Sequence, residues 1–262
     1  MLNATTRTLY IAWNDISNKR WVPVAMLIYN GSSYTFQYTL GVKELDGFVG
    51  FGGMTDIESV YISNELFPFF RNRLLGSNRP EYDDFLQWLN LDVNSYTPLD
   101  ALALTEGKRE TDSIEIFPCP VKTDEGMYRL SFFLHGLKYL HKCSLSSLQQ
   151  LSSGDKLYLL PDPQNPKDPN AIVLRSDDPI VFLGYCPRFL TNDFHFLLQR
   201  VPSDQIIISI KRINLDAPFQ YKLLCEAFSP WPDGFYPCSD PNFTPIIQLD
   251  EHGESACVTD NS

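Results

Sequence analysis

The sequence has no long apolar run. Its longest, such as Val22 to Tyr29 and Ile206 to Ile210, fall far short of the ~20 residues that cross a bilayer as a helix. Met1 to Tyr10 carries one Arg and no apolar centre, which does not fit a secretory signal. These absences predict a soluble, cytoplasmic protein with no membrane association. Cysteine is sparse: Cys119, Cys143, Cys186, Cys225, Cys238 and Cys257 include no C-x-x-C pair. Without a secretory signal such cysteines are expected as thiols. The four histidines, His135, His141, His195 and His252, form no metal-ligand spacing with them. No cofactor or metal is expected. Patterned nucleophile–base constellations are also missing. The adjacent carboxylates Asp83-Asp84, Asp177-Asp178 and Asp250-Glu251 read as solvated charge, so the expectation is a non-enzymatic protein.

Positive charge is scarce as well. Lys and Arg number 21 against 32 Asp and Glu, for a net charge of −11. That excludes a broad basic footprint of the kind that grips nucleic acid through its phosphates. The deficit is uneven. Residues 1–128 hold 10 basic against 17 acidic side chains, net −7. Residues 129–227 hold 11 against 9, net +2, and residues 228–262 hold none against 6, net −6. Any nucleic-acid contact in the middle segment must then come from a shaped site that combines stacking with a few polar groups.

The remaining 44% hydrophobic content is ordinary for a globular chain. Stretches 9–13, 21–29 and 33–38 are rich in aromatic and β-branched residues and separated by Asn-containing turns, which predicts an antiparallel meander. The glycine run 47–53 resembles a phosphate loop but lacks its Lys-Ser/Thr ending and a βαβ frame. Residues 63–91 are expected to be helical, with Leu66, Phe69, Phe70, Leu74 and Leu75 on one face and a second helix from Pro80. A short helix over 98–104 and a strand ending at Pro118 follow, and the apolar helix faces are expected to cover the N-terminal sheet. From Tyr128 to Phe228 the pattern returns to strands, with one helix over 190–200. Residues 231–262, with several prolines and an acidic end, are expected as an extended tail.

Three motifs in the second half carry a resemblance. The stretch Gly154 to Leu174 reads GDKLYLLPDPQNPKDPNAIVL, Leu183 to Arg188 reads LGYCPR, and Gly136 to Tyr139 reads GLKY. Together, over about 130–228, they resemble the HIRAN domain, whose pattern is a G-L-R/K-Y opening, a D/E-P-x-N-P-x-D-x-N-A loop between two strands, and a Gly-Tyr/His-x-Pro turn into a helix. The resemblance implies an OB-like β-barrel that captures single-stranded DNA at its 3′ end. By the same resemblance, Lys138 meets phosphate, Tyr139 stacks on terminal bases, and Asp168 accepts a hydrogen bond from the terminal hydroxyl. Tyr185 lines the pocket, and Asn165 and Asn170 shape the loop. Two positions depart from the end-binding members, which carry aromatics where this chain has Leu140 and Lys167. Lys167 can meet phosphate instead. Plainer readings stand beside these: Asp168 as a turn cap, Tyr139 and Tyr185 as packing residues, Lys138 as solvated charge, and His135 and His141 as structural or solvent-facing.

The N-terminal half has a second resemblance. Its meander and glycine loop lead into Glu65 to Leu75, ELFPFFRNRLL, and then Ala101 to Pro118, ALALTEGKRETDSIEIFP. This order is similar to the small N-terminal subdomain of HipA-type toxin kinases. The kinase catalytic and metal motifs are absent, so the similarity implies a contact module for a protein partner. The expected architecture is α+β: a HipA-like domain over 1–125, an OB-like HIRAN barrel over 126–230, and a tail over 231–262. The expected function is recognition of single-stranded DNA or DNA 3′ ends. The alternative is a protein-interaction or regulatory module that does not bind DNA.

Overall fold

The computed structural model describes residues 7–109, 113–140 and 146–248. The chain forms two compact units that interleave along the sequence. Among the described residues, the first comprises 7–75, 97–109, 113–119 and 238–248; the second comprises 76–96, 120–140 and 146–237.

The first unit is built on five antiparallel strands: β1 (Arg7–Asp15), β2 (Arg20–Tyr29), β3 (Tyr34–Tyr38), β4 (Tyr61–Ser63) and β5 (Ile114–Pro118), in the order β4-β3-β2-β1-β5. Alternation sends Leu9, Ile11, Leu27, Phe36, Tyr38 and Ile116 to one face. There they meet Phe70, Leu99 and Leu102 from two helices, α1 (Pro68–Arg71) and α3 (Pro98–Thr105). Register shifts between Ile11 and Ala12, where Ala25 and then Pro23 face them. Proline has no N–H to give the ladder, and a bulge absorbs it. Helix α3 starts on a capping box between Thr97 and Asp100, the reciprocal bond that satisfies early helix N–H groups.

Three expectations change here. The long helix expected from residue 63 is only the four residues of α1. Pro68 can begin a helix but cannot sit inside one, so Leu66 falls outside it, and the Gly76-Ser77-Asn78 run keeps it from extending. Helix α2 (Tyr82–Trp88) belongs to the second unit, not to the N-terminal sheet: the Trp88 carbonyl accepts from Asn214 Nδ2 at 2.9 Å, and Phe85 meets Tyr221 edge-on. Residues 231–248 are not a free tail. Phe235 is buried in the second unit's core. Phe243 stands edge-on to Tyr10 at 4.8 Å, and Ile246 N–H donates to the Tyr38 carbonyl at 2.9 Å, both in the first unit.

The second unit is a curled sheet of six antiparallel strands: β6 (Met127–Phe133), β7 (Lys156–Pro161), β8 (Ile172–Arg175), β9 (Phe182–Tyr185), β10 (Ile207–Ile213) and β11 (Leu223–Pro230). Their order is β6-β11-β10-β7-β8-β9. Just past β6, His135 bridges to Tyr185 of β9, with N–H···O=C distances of 2.8 and 2.9 Å. That bridge joins the two edges of the sheet into a barrel. Helix α4 (Thr191–Arg200) places Phe194 and Leu197 in the core with Leu157, Ile172, Leu174, Leu183 and Ile208.

Candidate nucleic-acid interface

The closing bridge also builds the site. It needs the chain after β6 to lie hard against β9, and Gly184 allows that. A Cβ there would stand 2.6 Å from the His135 carbonyl oxygen, and its φ of +143° is one that side chains disfavour. Gly136 then turns the chain with φ +78° into a short 3-10 turn, Leu137–Tyr139. Leu137 is buried in the barrel core and Leu140 packs partly against it. With both leucines anchored, the two residues between them are presented to solvent, and Tyr139 is 72% exposed. Leu140, at a position where end-binding relatives carry a ring, thus serves as an anchor here.

The opposite wall is the loop between β7 and β8. Its own side chains fold it, as Asn and Asp do in Asx turns. Asn165 Oδ1 accepts from the N–H groups of Lys167 at 3.0 Å and Asp168 at 3.3 Å. Asp168 Oδ1 accepts from Asn170 N–H at 2.9 Å. Asp162 Oδ2 accepts from Asn165 Nδ2 at 3.2 Å and from the Tyr185 hydroxyl at 3.0 Å. Burial, then the bond to Asp162 and its charge, raise the Tyr185 phenol above its ordinary value, so it stays protonated and donates. His195 on α4 ties down the far end through Nε2 to the Asn170 carbonyl at 3.1 Å.

The two walls meet at one ring. Lys138 Nζ lies 4.9 Å from the centroid of Tyr139, and Lys167 Nζ lies 5.5 Å from the same centroid. The residue that replaces a family aromatic therefore brings a second ammonium to Tyr139. Next to Lys167, Asp168 Oδ2 is ion-paired with Arg188 Nε at 3.3 Å, and the carboxylate is 19% exposed. Beneath it, burial and then the Asp168 charge push the Cys186 thiol up, so it acts as an inert packing group.

All six residues singled out in the sequence, Lys138, Tyr139, Asn165, Lys167, Asp168 and Tyr185, thus lie on the bridge-joined segments of one barrel. Lys138, Tyr139 and Lys167 form the exposed cluster. Asn165 is structural, and Asp168 is a turn cap and an ion-pair partner together. Tyr185 reaches Asp162 rather than the ring. Sequence reasoning missed Asp162 and Arg188 as members. Both stood inside the quoted motifs, one opening the loop and one closing the Gly-Tyr-x-Pro turn. His141 lies outside the described residues. A separate cleft of about 360 Å³ in the first unit, with Trp13 and Phe48 in its lining, holds none of these residues.

Residues 127–228, which include every strand of the barrel to within two residues, match the HIRAN domain family. The chain carries a HIRAN domain. The family is linked to DNA or nucleic-acid binding. Two solved structures are similar in part. One is the HIRAN domain of human HLTF, at 18% identity, covering 41% of this chain and 83% of that one with a TM-score of 0.29. The other is a protein of Lactobacillus plantarum, at 16% identity, covering 40% of this chain and 99% of that one, also with a TM-score of 0.29. No curated protein matches the chain. The HIRAN match does not extend to the first unit, whose resemblance to HipA rests on sequence order alone. No described helix is long and apolar enough to cross a membrane.

Proposed function

We propose that the HIRAN domain of this protein binds single-stranded DNA, captures its 3′ end, and catalyses no reaction. The observation that carries the reading is Tyr139, a ring 72% exposed with two ammonium groups within 5.5 Å. An exposed ring offers any base a face to stack on, worth about 1–3 kcal/mol per base. Lys138 and Lys167 meet the flanking phosphates, and this term weakens with salt. A stacking face is useful only to unpaired bases, so the site selects single strands over duplex.

Asp168 supplies the end selectivity. A carboxylate offers about four acceptor positions. One is used by Asn170 N–H and one by Arg188. The remaining ones suit a terminal hydroxyl, which can donate, and repel a terminal phosphate, which cannot and is itself anionic. Arg188 holds the carboxylate in place.

Replacing Tyr139 tests the stacking claim. Tyr139→Ala should weaken binding of a short single strand by about tenfold or more while leaving the melting temperature nearly unchanged, because the ring is exposed. Equal affinity of parent and variant for the single strand, or equal affinity of the parent for single strand and duplex, would refute it.

A further inference from the structure

The outer face of the barrel sheet carries a second arrangement of the same chemistry. Leu157, Ile172, Leu174 and Leu183 point into the core. Their neighbours Lys156, Tyr158, Arg175 and Phe182 therefore stand on the opposite face. Register places Tyr158 opposite Arg175, and Arg175 opposite Phe182, in one row across β7, β8 and β9. The adjoining row is Leu160, Val173 and Tyr185, so this face runs directly into the candidate site. Arg175 Cζ lies 4.4 Å from the Tyr158 ring centroid and Lys156 Nζ lies 5.3 Å from it. Among the described residues, Tyr139 and Tyr158 are the rings that carry two cations each. Beside this group Phe182 is 54% exposed. A phenyl ring left half in water forgoes part of the stabilisation that burial would give it. An exposed ring next to paired cations, on a chain with net charge −11, is an uncommon use of that surface.

We infer that Lys156, Tyr158, Arg175 and Phe182 form a second platform for the same strand of single-stranded nucleic acid, taking the nucleotides that extend away from the end held near Tyr139. This rests on the single-strand reading above and extends it across the sheet. Phe182 and Tyr158 offer ring faces to bases, and Lys156 and Arg175 offer charge to phosphates. The acids about the row are Asp155 beside Lys156, Glu226 two strands over and already paired with Arg129 and Lys211, and Asp177 and Asp178 in the β8–β9 turn. Arg175 meets Asp177 only loosely, at 3.9 Å with Asp177 71% exposed, and its Nη1 donates to the Ser176 carbonyl at 2.7 Å. A backbone bond thus holds the guanidinium beside Tyr158, and its 22% exposed side chain reaches the surface where a phosphate would pass. A single strand is favoured over an acidic protein partner because the face pairs each charge with a ring, which suits alternating bases and phosphates.

The experiment compares oligo-dT strands of increasing length, with free 3′-hydroxyls and a 5′ fluorophore, by anisotropy on the full chain. The parent should gain affinity with length until the strand spans both clusters. The double variant Tyr158→Leu and Phe182→Ala should match the parent on the shortest strands and bind the longest about tenfold more weakly. Identical length dependence in parent and variant would overturn the platform and leave the Tyr139 site standing. Failure of the parent to bind any length would overturn both. Photocrosslinking of long 4-thio-dT strands to the unaltered protein, read by mass spectrometry, gives a second measurement independent of variant folding. Adducts on peptides containing Tyr158 or Phe182 are expected with long strands, and their absence there would overturn the platform.

Discussion

Asp193 should make the second unit lose stability as pH rises through the mildly acidic range. It sits in the first turn of α4, where the helix dipole favours a negative charge by about 0.3–1 kcal/mol. Burial acts the other way. The residue is 8% exposed, and its Oδ2 accepts one bond, from the Tyr128 hydroxyl at 3.3 Å. Burial dominates and pushes the carboxyl from 3.8 up to about 7, with the Tyr128 bond opposing. Each unit of such a shift corresponds to about 1.4 kcal/mol, so up to about 4 kcal/mol is at stake. Between the unfolded and folded values the native state holds the proton and the unfolded state has released it. Stability then falls as pH rises from about 4 to about 7 and levels off above. Asp193→Asn removes the titration. Its carbonyl still accepts from Tyr128, while its buried amide N–H₂ forfeits about 1–3 kcal/mol if it finds no partner. The variant should therefore be about 1–3 kcal/mol less stable than the parent at pH 4 and gain on it by up to about 4 kcal/mol towards pH 8, ending about 1–3 kcal/mol ahead. Urea unfolding at a series of pH values checks this, with parent and variant subtracted at each pH so that other groups cancel. A difference that does not change with pH, or that grows towards acid, would refute the assignment.

Other substitutions probe the fold that positions the site. Gly184→Ala should cost about 2–4 kcal/mol, since its Cβ meets the His135 carbonyl at 2.6 Å; Gly136→Ala, where the nearest atom is 3.5 Å away, should cost only the about 1–2 kcal/mol of a left-handed residue. Thermal melts rank the two, and equal losses would mean that the barrel closure does not depend on close approach. Phe70→Ala, at a ring fully buried in the first unit, should cost about 3–5 kcal/mol in chemical denaturation, and a loss below 1 kcal/mol would deny it a core role. Asp100→Ala removes both the α3 capping box and the partner of Arg7. It should cost about 1–2 kcal/mol, mostly from the cap because the ion pair is part-exposed; a salt-sensitive loss would reverse that ranking.

All strands but β4 were legible because alternation and turn residues state them locally; β4, three residues long, is too short to show a period of its own. The HIRAN motifs marked every residue of the exposed cluster, but not how the cluster is assembled. Lys138 and Lys167 are far apart in sequence and share Tyr139 only because His135 bridges Tyr185 and joins the sheet edges. The pairing of Asp168 with Arg188 is a tertiary contact between a loop and a turn, which neither motif announces alone. The helix expected from residue 63 failed on Pro68, which can only begin it, and on the Gly76-Ser77-Asn78 run beyond. The placement of α2 failed for another reason: the apolar stripe of Phe85, Leu86 and Leu89 says that a face is buried and not which unit buries it. The prolines of residues 231–248 suggested an extended tail, yet Phe235, Phe243 and Ile246 pack them against the folded units.

The central claim is that an exposed ring, two ammonium groups and an ion-paired carboxylate recognise the end of a single strand. It is tested most directly by the affinity of the full chain for one single-stranded DNA sequence ending in a 3′-hydroxyl or a 3′-phosphate, at low and moderate salt, beside Asp168→Ala. The account predicts tighter binding of the hydroxyl end and weaker binding of both as salt rises. In the variant the preference should disappear or invert, because Arg188 then loses its carboxylate and is left to meet the phosphate. Equal affinity of the parent for the two ends would contradict the role of Asp168, and no binding at low salt would contradict the site itself.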